Sequence, residues 1–275
     1  MTAASTIWRA VMWTAAICMV AFVVLPVLAL LVTTGWPAFV AGLRDPLVLP
    51  ALELTVATTA TSLVLVVGFG TPLAWLLASR SGRLARTVET ILQLPVVIPP
   101  AVAGLTLLLA FGRRGLLGPA LEPLGWSIPF TTVAVIIAEV FVAAPFYLQA
   151  AIAAFRRIDP SLLVVARSLG ASPARVFFGV AIPLARAGLL SGAALAWARA
   201  LGEFGATLMF AGNFTGRTQT LPLAIYTALE SNLDAAKALS LVLVLVAFGL
   251  LLLLRARDPV GTGARSAPDT RTAVS

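Results

Sequence analysis

Histidine is absent from these 275 residues; lysine and cysteine occur once each and tyrosine twice. Each shortage closes a class of chemistry. Without histidine there is no imidazole for acid–base work, and most zinc and haem sites lose their usual ligand. The single lysine, Lys237, follows alanines and lies in no Gly-Lys-Ser/Thr loop, so the chain cannot cradle ATP phosphates in the Walker manner. ATP with its magnesium would have to sit on a partner subunit, and the chain itself is expected to carry no cofactor and no metal. Cys18 lies within an apolar run and has no second cysteine to pair with in the chain.

Charge is scarce as well. Only 11% of residues are charged, against roughly 25% in a soluble globular chain, and mean hydropathy is +1.02. The formal net charge is +8. Nucleic acid is excluded as a partner because the arginines form short clusters between apolar tracts, with no aromatics interleaved. A membrane protein whose basic loops stay in the cytoplasm accounts for the same surplus.

What is present is apolar sequence in lengths that match a bilayer, for which a helix needs about 20 residues. Six spans are expected: 11–32, 54–79, 90–111, 131–155, one within 180–210, and 238–254. The first is too long for a signal-peptide core and reads as a retained helix. Pro95, Pro99 and Pro100 should kink or unwind the third, and the bend could serve either alternating access or a fixed shape. Basic residues outside the spans divide unequally. Twelve fall on the side of Arg9, Arg80, Arg156 and Arg255, and five (Arg44, Arg113, Arg114, Arg217 and Lys237) on the other. Both termini therefore belong in the cytoplasm. Residues 1–10 form a short cytoplasmic N-terminus, 11–255 the membrane domain, and 256–275, with little to bury, a disordered tail.

The longest cytoplasmic connection, about 156–179, is punctuated. Asp159 is an N-cap and Pro160 suits the first helical position. Leu162, Val165, Ala166 and Leu169 recur at helical spacing, and Gly170 is placed to stop the helix in a left-handed conformation. Ser172 and Pro173 repeat the cap-and-start pattern for a helix returning to the membrane. Such a short amphipathic helix either rests on lipid headgroups or docks in the groove of a soluble partner.

Ionisable residues inside membranes are functional candidates. Glu139 has no obvious local partner. Arg186 can snorkel to the interface. Arg199 and Glu203, four apart, can neutralise each other. The 180–210 tract would be about 46 Å long as one helix, longer than a hydrocarbon core of about 30 Å. Gly202 and Gly205 are the natural break, and the segment Gly202–Thr207 is expected to line a route near its outer half. Gly188 and Gly192 form a GxxxG pattern that reads as close packing.

The stretch "ARSLGASPARVFFGVAIPL" (166–184) resembles the cytoplasmic Glu-Ala-Ala loop of binding-protein-dependent ABC importer permeases. Gly170, Val180, Ile182 and Pro183 fall at the family spacing. At the Glu-Ala-Ala positions stand Val164, Val165 and Ala166, so only the last matches and the acid is missing. "LPVVIPPAVAGLTLLLAFGRRGLLG" (94–118), "ALGEFGATLMFAGN" (200–213) and "TQTLPLAIYTALE" (218–230) resemble molybdate importer permeases.

The resemblance implies an all-α polytopic protein of the bacterial inner membrane, with six transmembrane helices in the type I ABC importer permease fold. It implies a transport subunit rather than an enzyme. Its partners would be a second copy of itself, ABC ATPase subunits, an extracytoplasmic molybdate-binding protein and the lipid bilayer. The ATPase-coupling loop would comprise Asp159, Pro160, Leu162, Val165, Ala166, Leu169, Gly170, Ser172, Pro173 and Pro183. Gly202, Glu203, Gly205, Thr207, Glu139 and Arg199 are the candidate pathway or gate residues. Two alternatives stand beside this reading: a permease for another oxyanion (tungstate, sulfate or thiosulfate), and a self-contained ion-coupled carrier.

Overall fold

A bilayer offers no water to backbone polar groups, so a spanning segment must satisfy them internally. The computed structural model describes residues 3–80 and 82–256, and among these helix is the only regular structure. Four helical stretches are long and apolar enough to cross a membrane: Ile7–Thr33, Val48–Ala78, Thr132–Arg156 and Pro173–Leu201. The first belongs to α1 (Ala3–Thr33), which carries residues 3–10 in the same helix, buries little of its surface and packs chiefly against the last helix. A short helix, α2 (Trp36–Gly42), leads to α3 (Val48–Ala78).

The expected third span is not a single rod. It divides into α4 (Arg83–Leu92), α5 (Leu94–Val97) and α6 (Pro100–Phe111), and the axis turns by 116° at the Ile98–Pro99 break. Pro99 and Pro100 cannot donate to the preceding turn and bias the residue before them away from α conformation, so Ile98 is extended. The twelve residues of α6 reach about 18 Å, well short of the hydrocarbon thickness.

After a four-residue turn of helix, α7 (Gly118–Leu121), the chain enters α8 (Thr132–Arg156). Beyond it come α9 (Pro160–Ser168), α10 (Pro173–Val176), a π-helical turn over Phe177–Ala181 and α11 (Ile182–Leu201). The π turn widens the ladder just ahead of Pro183, whose ring would crowd the carbonyl four residues back in a regular α-helix. Then follow α12 (Gly205–Ala211), α13 (Leu221–Ser231) and α14 (Leu233–Ala256). The expected sixth span lies inside α14, and the expected tail from 257 onward lies outside the described residues.

The core is built on α8, flanked by α3 and α11. Small residues set the α8–α11 spacing. A Cβ at Gly188 would stand 2.5 Å from the Cβ of Ala154, and one at Gly192 would stand 2.9 Å from that of Ala150. At the end nearest α9, Trp75, Phe155 and Phe177 pack together, with Trp75–Phe155 centroids 5.3 Å apart.

Polar groups join the helices where apolar burial gives no preference over lipid. Glu139 on α8 is buried, and its two carboxylate oxygens accept from Thr58 Oγ1 at 2.8 Å and Ser62 Oγ at 2.7 Å. Thr59 Oγ1 accepts from Trp197 Nε1 on α11 at 3.0 Å, and Thr55 Oγ1 accepts from the backbone N–H of Leu221 at 2.8 Å. Tyr147 on α8 shares a 2.5 Å hydrogen bond with Thr71. One edge of α3 therefore holds α8, α11 and the start of α13.

Two stability predictions follow from this packing. Hydrogen bonds between membrane helices are worth roughly 0.6–1.7 kcal/mol each, so Glu139→Leu should lower unfolding stability in bicelles by about 1–3 kcal/mol. Glu139→Gln keeps one acceptor and can donate to the other hydroxyl, and should cost less than half as much. Equal losses in the two variants would show that the hydroxyl pair does not hold α3 to α8. Gly188→Leu should destabilise by about 1–3 kcal/mol through overpacking, read as a lowered thermal midpoint in detergent; an unchanged midpoint would refute the close α8–α11 contact.

Candidate functional site

Two regions gather the residues singled out in the sequence. The first is α9 and its flanks. Asp159 Oδ1 accepts from the Ser161 backbone N–H at 2.9 Å, and Pro160 opens the helix. The hydrogen bonds from the Ser161 backbone and side chain hold the Asp159 carboxyl below the ordinary carboxylate range. With the folded value depressed, the cap is complete above the unfolded value and is lost as pH falls through the folded one.

The far end of α9 closes as a Schellman motif. Ala171 N–H donates to Ala166 O at 3.1 Å and Gly170 N–H to Arg167 O at 2.9 Å, with Gly170 at φ +82°. Ser172 Oγ then accepts from the Arg175 N–H at 3.3 Å, and Pro173 starts a helical run that continues unbroken to Leu201.

The apolar residues of α9 divide between two surroundings. Leu163 packs on the body of the protein and Ala166 is half-buried. Leu162, Val165 and Leu169 point away, at 47%, 55% and 84% exposure, with Val164 beside them. The helix is thus pinned by one edge and offers an apolar face that none of the described residues covers.

The second region is the meeting of α6 and α12, two half-length helices that pack closely. A Cβ on Gly205 would come within 2.6 Å of Pro100 Cβ, and one on Gly104 within 2.6 Å of Met209 Cβ and 2.7 Å of the Ala206 carbonyl oxygen. Gly205 is therefore required by contact. Gly202, exposed at the break, has φ −91° and open space around it, so neither torsion nor crowding demands glycine there.

Glu203 is buried, and its Oε1 accepts from the Ala206 N–H at 2.7 Å, closing the first turn of α12. Its Oε2 lies 2.8 Å from the Arg199 guanidinium in an ion pair that lacks hydrogen-bond alignment. Thr207 is buried, and its hydroxyl has no hydrogen-bond partner among the described residues. Glu139 belongs to the α3–α8 seam rather than to a cavity. Arg186 is exposed on α11.

Sequence reasoning did not assign α13, although Thr220 before Leu221-Pro222 is a helix-start signature. Nor did it find the network beside it, where Gln219 Nε2 donates to Asn213 Oδ1 at 2.9 Å and to Thr227 Oγ1 at 3.1 Å. Such contacts between loop and helix leave no periodic trace.

Known proteins resemble this chain in sequence and in fold. The chain is 46% identical over 250 residues to the molybdenum transport system permease protein ModB of Mycobacterium tuberculosis, covering 91% of this chain and 95% of that one. It is 43% identical to the putative molybdenum transport system permease protein YvgM of Bacillus subtilis, covering 73% and 88%. Among solved structures, a bacterial alginate ABC transporter in complex with an alginate-bound periplasmic protein superposes with a TM-score of 0.72 at 16% identity, over 92% of this chain and 94% of that one. At that identity the likeness speaks for the fold alone. Residues 70–257 match the family described as the binding-protein-dependent transport system inner membrane component, and the chain belongs to that family.

Proposed function

We propose that this chain is the permease subunit of an ATP-driven molybdate importer. The observation that carries the substrate is the match, along nine-tenths of the chain, to a permease named for molybdenum transport. In this reading six spans cross the membrane: α1, α3, the bent α4–α6 unit, α8, the α10–α11 rod and α14. Both termini lie in the cytoplasm, two copies of the chain form the route between them, and an extracytoplasmic binding protein delivers the anion. Permeases of this family are membrane subunits and not ATPases, so two copies of a separate ATPase supply the drive.

The exposed face of α9 supports docking over resting on headgroups. A helix held off the body by one edge, capped at both ends, and presenting Leu162, Val165 and Leu169 is suited to a groove in a partner. It sits at the shared end of α8 and α11, whose glycine-spaced contact makes them move together. ATP-driven closure of the partner would shift α9, and the α8–α11 pair would carry that shift to α12, which packs on α8. The acid missing at Val164 leaves apolar fit and cap geometry to position α9. Molybdate, a compact dianion, would pass a route offering hydroxyls and neutralised charges rather than a deep cationic trap.

Reconstitution decides the reading. The chain with its ATPase and binding protein should take up labelled molybdate, with sulfate competing weakly, and the chain alone should take up none. Uptake by the chain alone would establish a self-contained carrier instead, and preferred sulfate uptake would overturn the substrate. In the same system Gly170→Val forces a β-branched residue into left-handed backbone at a cost of roughly 1–2 kcal/mol. ATPase co-purification and uptake should both fall, while membrane insertion stays intact. Asp159→Asn keeps a cap that no longer titrates and should retain coupling. Full coupling in Gly170→Val would remove α9 as the docking helix.

A further inference from the structure

A cavity of about 510 Å³ opens where the loop before α8 meets the loop before α13. Arg113 and Arg217 line it, together with Ser127, Thr131, Pro129 and Phe130. No carboxylate lines this cavity, and neither arginine is in an ion pair among the described residues. Glu122 lines only the adjoining pocket, which shares Arg113 and Ser127. Two guanidinium groups facing one space repel each other and are tolerated there through hydration or an anion.

The backbone around the cavity is held in an unfavourable form. Phe130 is the non-glycine residue with positive φ, at 61°, among the described residues. Left-handed backbone costs a side-chain-bearing residue roughly 1–2 kcal/mol. Several contacts enforce it. Phe130 N–H donates to Phe210 O at 3.3 Å, and its ring packs edge-on against Phe214 at 6.3 Å. Thr132 Oγ1 donates to the Arg217 carbonyl oxygen at 2.9 Å, so the segment carrying one arginine is tied to the start of α8. Thr131 caps α8 at the cavity wall, adding a weak positive field.

We infer that this cavity is a reception site for a tetrahedral oxyanion, placed at the mouth of α6 and α12 and gripped by Arg113 and Arg217. The inference rests on the importer reading for its place on the extracytoplasmic side and for the class of anion. The guanidinium fork matches paired oxyanion oxygens, and Ser127 adds a hydroxyl. Both arginines are solvent-exposed, so the grip is screened and release is quick, as a delivery step requires.

Arginine-selective labelling with phenylglyoxal, read by peptide mass spectrometry on the full chain purified with its ATPase in detergent, tests the site. Detergent leaves both faces open, so membrane orientation does not enter, and failure here is separate from failure of the uptake assay. Molybdate at constant ionic strength should slow modification of Arg113 and Arg217 by about threefold, the protection expected when free anion is about twice Kd. Arg114, which does not line the cavity, should be unaffected. Equal protection by sulfate would keep the site and put substrate choice elsewhere. Equal protection by chloride, or equal effects at Arg114, would overturn it. Protection by anion-free binding protein but not by molybdate would identify a protein-docking patch and would also overturn it.

Discussion

Thr55, Thr58, Thr59 and Ser62 occupy two turns of α3 and turn every one of their hydroxyls towards another helix. In an apolar solvent this is the constraint on which the rest of the structure depends. Leucine packs against lipid nearly as well as against leucine, so burial alone does not choose which helices meet or in what register. A hydroxyl that finds a carboxylate, an indole or a free N–H does choose. Thr58 and Ser62 set α8 by gripping both oxygens of Glu139, Thr59 sets α11 through Trp197, and Thr55 satisfies the first N–H of α13. The glycines of α11 then let α8 approach closely, and dispersion does the rest.

The same constraint explains how three helices can begin within apolar sequence. Each starting turn exposes N–H groups that water would otherwise satisfy. At α6 the problem is reduced at source, because Pro100 has no N–H to orphan. At α13 the donor of Leu221 is met by Thr55 from a distant part of the chain. At α12 the acceptor is Glu203, whose charge is balanced one turn earlier by Arg199. The Arg199–Glu203 pair is thereby a structural device at a helix start as well as a candidate in the pathway. Removing Arg199 would strand the buried carboxylate of Glu203.

Much of this was legible in the sequence, and what was missed has physical reasons. Caps and stops are local, so Asp159-Pro160, Gly170 and Ser172-Pro173 announced α9 and the helix that follows it. The prolines at 99 and 100 announced a break, though not a turn as sharp as 116°, which depends on where α12 lies. The i, i+4 pairing of Arg199 and Glu203 follows from helix geometry alone. Glu139 looked unpartnered because its donors stand 77 and 81 residues earlier. Spacing put Leu162, Val165, Ala166 and Leu169 on one stripe, of which Ala166 is half-buried and the other three are exposed; a stripe carries no sign, and cannot say whether the protein covers that face or leaves it for a partner. Gly205 looked like a torsional break and proved to be a contact, a distinction that only the position of Pro100 could make.

The arrangement also bears on how a weak grip can suffice in an importer. A strongly bound dianion would need several desolvated cations, and the free energy gained on binding would have to be returned on release. The charges buried among the membrane helices are instead already engaged. Glu139 is held by hydroxyls, and Arg199 by Glu203. Arg113 and Arg217, in no ion pair among the described residues, stand at the loops, in contact with solvent. A charge distribution that is positive at the mouth and neutralised within draws an anion in without holding it at depth. The work of moving it onward then falls on shape change, and the helices best placed to change shape are those that end halfway: α6 and α12, joined to each other by glycine contacts and, through α8, to the chain end that carries α9.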